Sequence, residues 1–159
     1  MLFRALIPAA ALLLVACSAE KSSAEPEAPA TAAAPVIEIR DAFIVKPAEG
    51  RDVAGGGLTA YVTGGPVDLV GATSDAATRV ELHTMSMDGG VMQMRQVEKF
   101  TAKDGEPIVL KRGADHLMLF GFDPAIQEGD KVDLNLEFRD SNGNSQTVVA
   151  TADVTGLGD

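Results

Sequence analysis

The chain has no tryptophan, one tyrosine and one cysteine, and its 13 Lys and Arg are outnumbered by 23 Asp and Glu. Nucleic-acid binding needs a basic footprint for phosphates and usually aromatic side chains for base stacking; a formal net charge of −10 with 4% aromatic residues offers neither. The single cysteine, Cys17, lies near the N-terminus. Everything after it lacks a thiol, which excludes an internal disulfide, a thiolate zinc site and a blue-copper centre with its obligatory Cys ligand. The same absence removes a Cys nucleophile, and no Ser-His-Asp arrangement is evident, so we do not expect an enzyme. No apolar run reaches the ~20 residues of a membrane-spanning helix. There is no internal repeat, no Gly-rich phosphate loop and no long stretch of helical period.

What is present begins with the N-terminal segment. Arg4 precedes an apolar run, Ala5 to Ala16, of the length of a signal-peptide core. The run ends Leu14-Val15-Ala16-Cys17, which resembles a bacterial lipobox. We therefore expect residues 1–16 to be a signal peptide and Cys17 to become the lipidated first residue. Ser18, rather than Asp, follows it; by analogy with Gram-negative sorting this favours the outer membrane, with the domain in the periplasm. Residues 17–35 are rich in Ala, Pro, Ser and Glu and lack large apolar side chains, so they read as a disordered tether. Such a length reaches roughly 20–25 Å as a flexible coil.

From Val36 the pattern becomes that of strands, and we place one domain at residues 36–159. Val36–Val45 alternates, and Lys46 to Gly57 reads as a Gly- and Pro-rich loop. Further strands are expected over 58–63, 67–72, 79–87, 91–100, 108–111, 115–122, 131–139 and 146–154. Ser141-Asn142-Gly143-Asn144 marks a hairpin turn. Helix candidates are brief, near Ala76 and Pro124. Eight or nine short strands with frequent turns imply an all-β antiparallel sandwich or barrel.

Both histidines, His83 and His116, and every methionine after Met1 (Met85, Met87, Met92, Met94, Met118) fall between His83 and Met118. In DHLMLF, His116 and Met118 share one strand face, about 6.6 Å apart, while Leu117 and Leu119 face the core. Asp88-Gly89 is a favoured hairpin dipeptide. If it forms the turn, His83 and Met94 sit directly opposite each other; a turn at Gly89-Gly90 would instead put Gln96 opposite His83. Two imidazoles and two thioethers form a neutral, soft donor set that selects Cu(I) over zinc, calcium or magnesium. Met85 and Met92 share the parity of His83 and Met94. They and Met87, near the turn, either pack at the rim or give copper accessory contacts on entry. Glu81 lies on the His83 face, as a solvated charge or as a contact to an imidazole.

His83, a methionine eleven positions on, a histidine twenty-two beyond that and a methionine two further resembles the signature of the periplasmic PCu(A)C copper chaperones. The flanks VELHTM, DGGVMQMR and HLMLFGF match as well. The resemblance implies a cupredoxin-like Greek-key β-sandwich binding one Cu(I) through His83, Met94, His116 and Met118. It also implies delivery to the copper A centre of cytochrome c oxidase, alongside Sco-type proteins. Copper buffering with the same ligands is the alternative. Beyond a copper acceptor and the lipid anchor no partner is expected, and the chain should be monomeric. The family often reads DAWARP where this chain has Asp41-Ala42-Phe43-Ile44-Val45-Lys46-Pro47, and lipid anchoring is not general to it.

Overall fold

The computed structural model describes residues 34–158. The signal-peptide and lipobox reading, Cys17 included, and the tether up to residue 33 lie outside the described residues.

Ten strands form and, among the described residues, no helix. They are β1 (Val36–Val45), β2 (Val53–Thr63), β3 (Val67–Thr73), β4 (Arg79–Asp88), β5 (Val91–Gln96), β6 (Phe100–Ala102), β7 (Ile108–Leu110), β8 (His116–Phe120), β9 (Lys131–Asp140) and β10 (Ser145–Thr155). Their order is β5-β4-β8-β2-β1-β10-β9-β3-β6, with β7 pairing β2 off this path. The cupredoxin-like all-β expectation holds. Among the described residues, these strands pair antiparallel with their neighbours except β1 with β10. A parallel pair needs a long crossover, and here nearly the whole domain supplies it.

Period-2 alternation builds the core. Val132, Leu134, Leu136 and Phe138 of β9 are buried while Lys131, Asp133, Glu137 and Arg139 face water. Leu117 and Leu119 of β8 join Leu58, Leu69 and Ile44 in the same fully buried cluster. The expected turn closes the β9–β10 hairpin: Gly143 has φ 86°, and the Asp140 carboxylate accepts the backbone N–H groups of Asn142 and Asn144. A hydrogen bond from the Asn144 side-chain amide, with these backbone bonds, holds the Asp140 carboxyl below the usual range.

Three expectations are corrected. Val53–Gly57 is strand, not loop. Gly57 is there for close packing: a Cβ on it would lie 2.4 Å from the Leu110 carbonyl oxygen and 2.7 Å from the Phe43 ring. The expected strand 91–100 is split, because after Gln96 the chain leaves β4, and β6 pairs with β3 instead. Neither short helix forms; Asp123 and Asp130 side chains cap tight turns at Ala125 and Gln127.

One irregularity serves the next section. The β1–β2 register slips by one residue between Arg40 and Phe43, and Asp41 sits at φ 52°. A bulge of this kind exchanges the two faces of the strand downstream of it. Ile37 and Ile39 pack on the core before it, Ile44 after it, and Phe43 is thereby turned to the opposite face, over Gly57.

Candidate metal centre

β4 lies between β5 and β8, and this places the histidines. His83 pairs directly with His116 across β4–β8, Glu81 with Met118, and Arg79 with Phe120. Direct partners in an antiparallel pair share a face. His83, His116, Met118 and Glu81 therefore stand on one face, opposite the buried Leu82, Leu117 and Leu119. The two imidazole centroids are 6.0 Å apart at an interplanar angle of 42°. An imidazole nitrogen binds a metal at about 2 Å, so rings at this separation can share one ion.

Each ring has one nitrogen already engaged. His116 Nδ1 is 2.7 Å from the Ala114 carbonyl oxygen, an acceptor only, so Nδ1 carries the proton and Nε2 keeps the lone pair. His83 Nε2 is 2.9 Å from Glu81 Oε2 and donates to it. His83 Nδ1 is left buried with no hydrogen-bond partner. A buried polar atom without a partner costs about 1–3 kcal/mol and calls for an explanation. A soft cation accepting that lone pair is one the surroundings support. Glu81 is itself fixed, since Arg79 Nε donates to its other oxygen at 2.7 Å. The Arg79 guanidinium lies 4.5 Å over the Phe120 ring, which in turn stands 6.4 Å from His83. Arg79, Glu81 and His83 thus form a chain braced on an aromatic side chain.

Met94 is not where the Asp88-Gly89 turn would put it. The observed pairs are His83 with Gln96, Met85 with Met94, Met87 with Met92 and Asp88 with Val91. The turn is Gly89-Gly90, with φ 57° and 83°. A tight two-residue hairpin of this hand needs positive φ at both central positions, and glycine adopts it without a Cβ penalty at both. Asp88 would carry a Cβ cost at a central position that glycine does not, and it ends the strand instead. Met94 keeps the His83 face but stands diagonal to it, a displacement that a long side chain still spans. It is 48% exposed.

A shallow, mostly apolar pocket of about 210 Å³ opens on the same face. Its walls include Phe43, Met85, Arg112, His116 and Met118, and Gly55 leaves space within it, with nothing within 4 Å of where its Cβ would be. The structure thus joins His116, Met118 and Met85 at one pocket and sets His83 beside His116, with Met94 one rung away on the hairpin. Phe43, Gly55 and Arg112 were not anticipated. The bulge that turns Phe43 leaves no sequence pattern, and the Gly55-Gly56-Gly57 run reads as a loop. Arg112 donates to the Gly156 carbonyl at 3.0 Å and lies 6.0 Å from the Phe43 ring, so it is held at the pocket wall.

Chemically, the face offers two imidazole lone pairs and several thioethers, all neutral. Among the described residues no three His, Cys, Asp or Glu side chains are grouped to hold a metal. A site built from this face would draw on thioether sulfur, a donor that prefers soft ions such as Cu(I) or Ag(I) to Zn(II) or Ca(II).

Comparison with known proteins agrees with the fold. The domain resembles the copper-bound PCuAC domain from PmoF2, with a TM-score of 0.57 at 18% identity, covering 76% of this chain and 92% of that one. It also resembles the solution structure of CuI-DR1885 from Deinococcus radiodurans, with a TM-score of 0.55 at 27% identity, covering 74% and 76%. The PmoF2 domain is of the PCuAC type that the sequence resembles. A protein named "Putative lipoprotein Lxx21020", from Leifsonia xyli subsp. xyli (strain CTCB07), is 33% identical over 110 residues, covering 65% of this chain and 66% of that protein. The match therefore spans just under two thirds of that relative's length. The family model described as "Putative lipoprotein LpqE-like" matches residues 37–154, and by that match the chain belongs to the LpqE-like family.

Proposed function

We propose that this protein is a copper chaperone that carries one Cu(I) on the β5–β4–β8 face, with His83, His116, Met118 and Met94 as ligands. The observation that carries the reading is the buried, unpartnered Nδ1 of His83, on a ring 6.0 Å from that of His116. The likeness to CuI-DR1885, at 27% identity, supports copper as the cargo. All four donors are neutral, so the bound ion keeps its positive charge within a protein of formal net charge −10. The site lies at a sheet face beside an edge hairpin, which suits a carrier that must release its load. The role is carriage, not catalysis. We place the domain in the cell envelope, tethered through lipid on Cys17, and its acceptor in cytochrome c oxidase copper-centre assembly; the lipoprotein names of its family and relative favour the anchor.

Anaerobic titration with Cu(I) against a competing chelator tests the site. Wild type should take up one tight equivalent, and His83→Ala/Met94→Ala and His116→Ala should each weaken it. A wild type that takes up none, or unaltered affinity in both variants, refutes the reading. Deletion of the gene then tests delivery: oxidase activity should fall at low copper. Copper sensitivity with normal oxidase would instead assign buffering.

A further inference from the structure

The metal-binding atoms just described are hard to reach from water. His83 Nδ1 is buried, and the His83 and His116 side chains are largely covered. On the pocket side the Arg112 guanidinium stands at the wall, and Arg79 covers the Phe120 end of the face. Each of these two approaches is thus flanked by a guanidinium side chain, that of Arg79 paired with Glu81. The third side is the β4–β5 hairpin, and beyond the His83–Gln96 rung its side chains on this face are methionines.

The observed register stacks them in order. Met87 pairs with Met92 nearest the turn, Met85 with Met94 on the next rung, and His83 follows on β4. Cross-strand partners have Cβ atoms about 5 Å apart, and successive rungs on one face are about 6.8 Å apart. Exposure falls along the same direction: Met87 is 67% and Met92 56% exposed, Met94 48%, and Met85 is half-buried and lines the pocket with His116 and Met118. Arg95 pairs with Thr84 and so faces the other way, toward Ser86. The hairpin tip therefore presents two thioethers, with the Asp88 carboxylate at the same strand end.

We propose that Met87 and Met92 form a second soft-metal site, an outer loading site, from which Cu(I) passes through Met85 and Met94 to the histidine pair. This rests on the Cu(I) reading above and extends it. Each transfer exchanges one sulfur donor for the next. Thioethers carry no proton, and copper stays Cu(I), so no electron or proton moves. Two thioethers without imidazole bind more weakly than the inner set, so the outer site fills last at equilibrium and first in time.

The test uses the full chain carrying 13C-methyl methionine, titrated anaerobically with Ag(I) as a redox-inert stand-in for Cu(I). In wild type the first equivalent should shift the Met118 and Met94 methyl signals, and a second should shift those of Met87 and Met92. Met87→Leu/Met92→Leu keeps the apolar surface and removes only the sulfur. It should still bind one tight equivalent, lose the second, and load from a Cu(I)–chelator complex several-fold more slowly than wild type. His83→Ala/His116→Ala, if folded by circular dichroism, should retain only the weak outer site. Methyl signals of Met87 and Met92 that stay unmoved past two equivalents overturn the proposal and leave the inner site standing. Unchanged loading in the leucine variant overturns the route. A wild type that binds no Ag(I) or Cu(I) overturns both site readings together.

Discussion

A neutral histidine offers a metal one lone pair, and the hydrogen bond at its other nitrogen decides which atom carries it. His116 and His83 settle this in opposite ways. The Ala114 carbonyl takes the His116 Nδ1 proton and frees Nε2, whereas Glu81 takes the His83 Nε2 proton and frees Nδ1. Glu81 touches no copper in this scheme; it positions His83. Glu81→Gln removes the charge, and its amide can meet Nε2 as a donor as readily as an acceptor, so the tautomer loses its bias. Loss of such a supporting contact typically costs roughly 10–100-fold in metal affinity. We expect a Cu(I) affinity loss of that size, together with a His83 15N spectrum that reports mixed tautomers in the metal-free protein. A purely structural role for Glu81 would change thermal stability and leave the tautomer alone. The parity of Glu81 with His83 was legible in the sequence. Its hydrogen bond was not, because parity fixes a face and says nothing of rotamers, and the restraint on Glu81 comes from Arg79 and Phe120 on two different strands.

At the scale of single strands, the sequence reads well where one face is buried and poorly where the backbone departs from the regular pleat. β8 and β9 follow their alternation residue by residue, because Leu117, Leu119 and the apolar positions of β9 have only one place to go. The β4–β5 hairpin has no buried face to pin its register: every residue of β5 is exposed. Turn geometry alone decides it, and Asp88-Gly89-Gly90 contains two competing dipeptides. Gly-Gly prevails because it meets both positive-φ requirements, and His83 thereby faces Gln96 instead of Met94. The Gly55-Gly56-Gly57 run misleads for a different reason, since glycine can mark close approach as well as a turn. That distinction can be measured. A Cβ at Gly57 collides with backbone and the Phe43 ring, whereas at Gly55 it enters open space. Gly57→Ala should cost about 1–3 kcal/mol or more in denaturant unfolding, as overpacking does. Gly55→Ala should fold with near wild-type stability and, like any glycine replaced in a strand, gain slightly from reduced chain entropy. Equal losses in the two variants would mean that Phe43 does not pack over β2 as described, and with it that the Asp41 bulge does not turn Phe43 to the metal face.

For the molecule as a whole, the proposed ligands come from three adjacent strands, a hairpin and a third strand that follows it only after two more have formed elsewhere. Met94 lies on the edge strand β5, His83 on β4, and His116 and Met118 on β8, which pairs in turn with β2. An ion bound by all four closes contacts that exist only in the folded state, so its binding free energy adds to folding stability by mass action. At a free metal concentration a hundredfold above the dissociation constant this amounts to about 2.7 kcal/mol. For a domain of this size that corresponds to a rise in Tm on the order of 10 °C. Ag(I) should produce the shift in air, where Cu(I) would oxidise. Zn(II) at the same concentration should leave Tm unmoved, because the described residues group no three His, Cys, Asp or Glu for it. The two metals separate the thioether reading from a generic effect of cations on an acidic protein, since Zn(II) carries twice the charge and would screen its self-repulsion better. A larger Tm rise with Zn(II) than with Ag(I) would count against the sulfur ligands. The expected order, reversed relative to charge, is accounted for by Met94 and Met118.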